Sequence, residues 1–284
     1  MEKTLLLVNH QTRRDLRVWG MAIILLACVI FLFPQPSHAE TLQVPPGAPG
    51  WMHFSAAVIL YTHIIGGTVG IATGIVASFS RKGAPLHRAS GKIFLIAMFV
   101  TYLVGAGVAP FLEHGQRPNF VAGILALYLL LTGVSTARRN PVISGPSKWL
   151  GLCIALGITA MGVTFMVMGA NSESGTVDGS PPQAFIIFIV AGSIAALGEA
   201  NVLWRGQLVR AARTSRHLWR MCFSFFIATG SLFFGQPQVF PEWFNASPLP
   251  FLIGFLPLFV LLFWQVRTSL PPLLRRFKTQ NTQR

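Results

Sequence analysis

Charge is what this sequence has least of. Only 11% of its 284 residues are Asp, Glu, Lys or Arg, against 52% hydrophobic, and the mean hydropathy is +0.59. A chain this poor in charge cannot cover its apolar surface with one polar shell, which excludes a single soluble domain and requires lipid as part of its solvent. Cysteine is equally scarce. Cys28, Cys153 and Cys222 lie in or at the ends of apolar runs, with no CxxC or Cys–His spacing, so a disulfide framework is excluded and all three read as core thiols. Long polar segments are missing too. The longest loops between apolar runs are only on the order of twenty residues, too short for an independent soluble core. No Walker loop, Rossmann glycine pattern, HExxH or nucleophile elbow is present.

What is present is a succession of apolar runs, most of about 16 to 25 residues and so about as long as a helix needs to cross a hydrocarbon core of roughly 30 Å. They lie near Trp19–Phe33, Phe54–Phe79, Ile93–Ala109, Phe120–Ala137, Trp149–Gly169, Ala184–Leu203, Met221–Phe234 and Leu249–Val266. The expected fold is therefore all-α, a polytopic transmembrane helical bundle of about eight spans. The seventh run is the weakest, because Gly235, Gln236 and Pro237 follow it closely.

The formal net charge of +14 suggests nucleic-acid binding only if the basic residues share one soluble face, and they do not. Lys3, Arg13, Arg14 and Arg17 precede the first run; Arg81, Lys82, Arg88 and Lys92 follow the second; Arg138, Arg139 and Lys148 follow the fourth. Arg205, Arg210, Arg213, Arg216 and Arg220 follow the sixth, and Arg267, Arg275, Arg276, Lys278 and Arg284 follow the last. Only Arg117 falls on the other side. Retention of positive flanks in the cytoplasm then puts both termini inside, with anionic lipid headgroups as the default partner of the inner loops.

The expected organisation is a cytoplasmic start and signal-anchor helix over 1–40, a membrane domain over 41–266 and a basic cytoplasmic tail over 267–284. A basic n-region, the run Met21–Phe33 and the small residues at Ser37–Ala39 also fit a cleavable signal peptide. The length of the run favours retention.

Polar groups inside apolar runs are costly and therefore informative. His63 lies within the second run, with Gly67, Gly70 and Gly74 on the same helical face and Gly66, Gly70 and Gly74 spaced by four. Two readings stand. A neighbouring helix fills the groove while His63 bonds an oxygen, or a flat cofactor such as haem lies on Gly67 and Gly70 with His63 as axial ligand. The second lacks a partner ligand: His53 is on another face, His114 is in an outer loop, and Met161 is at a comparable depth but forms no histidine pair. Glu199 is the one carboxylate in a run, near the boundary marked by Trp204 and Arg205. It reads either as a snorkelling group paired with an interfacial arginine or as a proton or cation site. The inner loops add His87 beside Arg88, and His217 with Arg220. The connection Ala170–Pro182, rich in Ser, Gly, Asp and Pro, reads as flexible.

The His63 helix, the segment His87, Arg88, Ala89, Ser90, Gly91 and the segment His217, Leu218, Trp219, Arg220, Met221 resemble a bacterial family of predicted membrane proteins catalogued as a domain of unknown function, over about Phe54 to Phe234. The resemblance implies an inner-membrane location and points to His63, His87 and His217, and it brings no activity. Three functions follow as expectations: a haem- or quinone-associated redox protein, a proton or small-solute transporter, or a non-catalytic assembly or sensing partner. The first is preferred on His63 and its glycines.

Overall fold

The computed structural model describes residues 44–281 apart from 46, 113, 114 and 209, with side chains up to 268 other than that of 210. The first apolar run, the amino-terminal basic cluster, Cys28, His114 and the side chains of the basic tail beyond 268 lie outside the described residues.

Helices α1 (Gly50–Phe79), α2 (Pro85–Val108), α3 (Gln116–Arg138), α4 (Pro146–Ala170), α5 (Ile186–Arg205), α6 (Arg210–Phe233), the short α7 (Glu242–Asn245) and α8 (Leu249–Asn281) follow one another. The only sheet among the described residues pairs β1 (Val142–Ile143) with β2 (Gln207–Leu208), antiparallel. Among the described residues six helices are long and apolar enough to cross a membrane: α1, α2, α3, α4, α5 and the Leu249–Thr268 part of α8. The chain is a multi-pass helical membrane protein.

Helix α6 explains why the seventh run looked short. It is 24 residues long, ample for a span, but its first half carries Arg213, Arg216, His217 and Arg220. Hydropathy registers only the apolar half from Met221 onward. The polar half is not left to lipid, since Arg216 and Arg220 are buried.

The chain forms two compact units. One holds the described residues up to Thr101 together with Ala228–Gly254; the other holds Tyr102–Ile227 and the chain from Phe255. In the first unit, α1 and α2 meet at glycines: a Cβ on Gly70 would lie 2.5 Å from Met98 Cε, and one on Gly66 would lie 2.6 Å from Thr101 Oγ1. The helices approach there because no side chain intervenes. The end of α1 is capped from the loop that follows it and from the first turn of α2. Lys82 Nζ donates to Ala77 O and Ser78 O, and His87 Nδ1 donates to Ala77 O, so carbonyls that lack helical partners are satisfied by a cation and an imidazole.

The second unit is built on α4 and α5. A Cβ on Gly192 would lie 2.5 Å from Thr159 Oγ1 and 3.2 Å from Ala155 O; one on Gly162 would lie 2.9 Å from Ile189 Cγ1. Around this contact Leu125, Leu129, Ile158, Phe185 and Ala195 form a fully buried core. Trp149 and Trp204 stand exposed beside the basic loops of this unit, as tryptophans do at a membrane interface.

The connection after α4 differs from the flexible reading. Val177 and Ser180 form a β-bridge, Val177 is buried, and Asp178 reaches the start of α3. Its Oδ2 accepts from Arg117 N at 2.9 Å and its Oδ1 from Arg117 Nη1 at 2.6 Å, while its carbonyl accepts from Gly115 N. Asp178 thus caps a helix 61 residues away in sequence, which composition could not show. Replacing it by Ala is expected to cost about 1 kcal/mol, the usual value of an amino-terminal cap, read as a lower unfolding midpoint in detergent; an unchanged midpoint would remove the clasp from the account.

Candidate functional site

Helix α6 presents one polar face. Arg213, Arg216, His217, Arg220 and Ser224 follow at spacings of three, one, three and four, a stripe along one side of a helix. That stripe lies along the second half of α3. Arg213 Nη1 donates to Ala137 O at 3.2 Å, among the carbonyls that end α3, and Arg216 Nε donates to Thr136 Oγ1 at 3.3 Å. His217 Nδ1 donates to Gly133 O at 2.9 Å, Arg220 Nη1 to Thr132 Oγ1, and Ser224 Oγ to Ala126 O at 3.0 Å. The approach is close because Gly133 has no side chain: a Cβ there would lie 3.2 Å from Arg220 Cβ. The threonines are held in turn by their own helix, Thr136 Oγ1 on Thr132 O and Thr132 Oγ1 on Tyr128 O.

Glu199 of α5 enters this stripe and is fully buried. Its Oε1 lies 2.6 Å from Arg216 Nη2 and 3.2 Å from Arg220 Nη2, and accepts from the Tyr128 hydroxyl at 3.1 Å. Its Oε2 has no hydrogen-bond partner among the described residues. The carboxyl lies flat on α4 at Gly151, where a Cβ would stand 3.0 Å from Cδ and Oε1. Arg216 Nη1 donates back to Gly198 O at 2.8 Å, and the Arg220 guanidinium lies over the rings of Tyr128 and Trp219 at 5.3 Å and 5.7 Å. Lys148 at the start of α4, only 3% exposed, lies one helical turn before Gly151, against which the Glu199 carboxyl packs.

Three buried cations and one carboxylate leave a formal excess of two positive charges in one place. A buried ion pair only offsets its desolvation when matched in charge and fully hydrogen-bonded. This cluster is neither. Arg220 Nε is a buried donor without a partner among the described residues. Such an arrangement is suited chemically to hold an anion.

The residues singled out from sequence fall into two groups. Glu199, Arg220 and His217 are brought together in the second unit. Arg220 is not a loop cation but a wholly buried helical residue, and Glu199 does not snorkel. His63 and His87 belong to the first unit. His63 Nδ1 donates to Thr101 O at 3.0 Å, so its neutral ring carries a lone pair on Nε2. Gly70 is covered by Met98, and Gly67 stands 3.7 Å, measured from a built Cβ, from Thr101 Cγ2; the neighbouring helix occupies this face. His87 serves as the cap described above, and Arg88 is exposed. Among the described residues no group of three or more His, Cys, Asp or Glu is placed to hold a metal. Sequence reasoning missed Lys148, Tyr128, Thr132 and Thr136. The spacing from Arg213 to Ser224 was a usable signal for the polar face, but nothing local marks the partners on α3 and α4.

The fold and site define a multi-pass helical membrane protein with a buried, cation-rich charge cluster. Comparison with family models, with curated proteins and with solved structures finds no match for the chain.

Proposed function

We propose that this protein binds a small anion or anionic headgroup at the cluster of Lys148, Arg216, Arg220 and Glu199, in the manner of a solute carrier of the bacterial inner membrane. The observation that carries the reading is the uncompensated positive charge buried around Glu199. Charged side chains within membrane bundles mark solute and ion pathways, because nothing else offsets their desolvation. The distribution of Lys and Arg supports eight spans with both termini cytoplasmic, which puts the cluster, flanked by the basic loops after α3 and α5, on the cytoplasmic side. The motifs around His87 and His217 support membership of the bacterial domain of unknown function that they resemble, with no activity attached.

The test is the unfolding midpoint of the detergent-purified full chain titrated with inorganic phosphate, citrate and chloride. A multivalent anion is expected to raise the midpoint saturably, and Lys148→Gln to weaken that rise at least roughly tenfold in concentration. No anion dependence in either protein rejects the reading.

Redox association keeps one supporting observation, the Nε2 lone pair that the Thr101 hydrogen bond fixes on His63. An oxidised-minus-reduced absorbance spectrum of the same preparation decides it: a Soret band lost in His63→Ala would restore the haem reading. A featureless spectrum without anion binding leaves an assembly or sensing role.

A further inference from the structure

The cluster's hydrogen bonding is unbalanced in a way that identifies the class of its ligand. Among the described residues the three polar contacts of the Glu199 carboxylate fall on Oε1, while Oε2 is buried without a partner. A carboxylate matched to a guanidinium accepts on both oxygens in a fork. Glu199 therefore occupies the arginines without satisfying them: among the described residues Arg220 Nε is buried with no partner, and Arg216 Nη2, though 2.6 Å from Oε1, makes no hydrogen bond. A carboxylate has too few oxygens and too little charge for this site. A phosphate-class group has at least three acceptor oxygens and carries close to two negative charges at neutral pH, which equals the formal excess of the cluster.

We infer that the cluster is a site for a phosphate-class dianion, and that Glu199 is the internal anion competing with it for Arg216 and Arg220. The inference rests on the anion-binding reading and deepens it. The ligand takes the donors that Glu199 shares on one oxygen, and Glu199 remains as a like charge close by. Its presence weakens ligand binding, opposite to the effect of a residue that helps to build the site. The same chemistry reaches the site from free phosphate or from the monoester phosphate of a lipid.

The experiment is calorimetric titration of the full chain in detergent with inorganic phosphate, with short-chain phosphatidate and with acetate, for wild type, Glu199→Gln and Lys148→Gln. Removing one negative charge a few ångströms from the ligand is expected to tighten phosphate or phosphatidate binding at least roughly tenfold in Glu199→Gln. The probe that gains identifies the source as free phosphate or a lipid headgroup. Should Glu199→Gln not purify folded, Glu199→Asp, whose shorter side chain withdraws the carboxylate from the arginines, is expected to give a smaller gain of the same sign. Equal or weaker binding in these variants, with wild-type binding still lost in Lys148→Gln, overturns the competition and leaves the anion-binding reading standing. An equal gain for acetate overturns the dianion class. No binding of any probe by any variant overturns both.

Discussion

Glu199→Ala is expected to lower the stability of the detergent-solubilised protein by about 3–5 kcal/mol, the cost of removing one partner from a buried ion pair. The loss comes less from the missing bonds than from what stays behind. Arg216 and Arg220, both within 3.2 Å of one carboxylate oxygen, would face each other and Lys148 with no negative charge between them. The Tyr128 hydroxyl would lose its acceptor as well. Denaturant titration followed by tryptophan fluorescence gives the number. A triple replacement, Glu199→Leu with Arg216→Met and Arg220→Met, removes the charges together and is expected to recover most of the stability. It would also lose all anion binding. If the single variant unfolds at the wild-type denaturant concentration, the cluster is hydrated in solution and the buried excess charge carries no functional weight.

The helical, membrane-spanning character of the chain was legible because it rests on run length and composition, which need no partner to be read. Glu199 was legible for a similar reason: a carboxylate inside an apolar run stands out wherever its partners are. The kind of partner, an arginine near the same boundary, was legible too; the burial of that arginine was not. Arg216 and Arg220 sit in a segment whose mean hydropathy resembles that of a loop, and only the contact with α3 makes it a buried helix. The glycines of α1 marked a close approach, but whether a helix or a flat cofactor fills it depends on Met98 and Thr101, which lie on α2. The Ala170–Pro182 segment has the composition of a flexible linker and is pinned by Asp178, whose partner lies 61 residues earlier. In each case the missing information is a contact distant in sequence.

The glycine contact between α4 and α5 sets the position of the whole cluster, and Gly192→Leu is expected to disrupt both fold and site. A Cβ at 192 meets Thr159 Oγ1 at 2.5 Å and, more important, backbone atoms, Thr159 N at 3.0 Å and Ala155 O at 3.2 Å. A flexible side chain can swing aside but a helix backbone cannot, so the two helices must separate. Glu199 lies about two turns further along the same face, resting on Gly151 of the opposing helix. Forcing the helices apart at 192 lifts its carboxyl away from Gly151 and from the arginines. Overpacking of this kind costs typically about 1–3 kcal/mol, and here the weakened ion pairs add to it. Gly157→Leu is the control, since a Cβ at 157 meets nothing within 4 Å. It is expected to be neutral or slightly stabilising in the same denaturant titration, because leucine favours helix over glycine. The contrast assigns the effect to position rather than to the bulk of leucine. Equal midpoints for the two variants would mean that α4 and α5 tolerate separation, and the site would then need another source of rigidity.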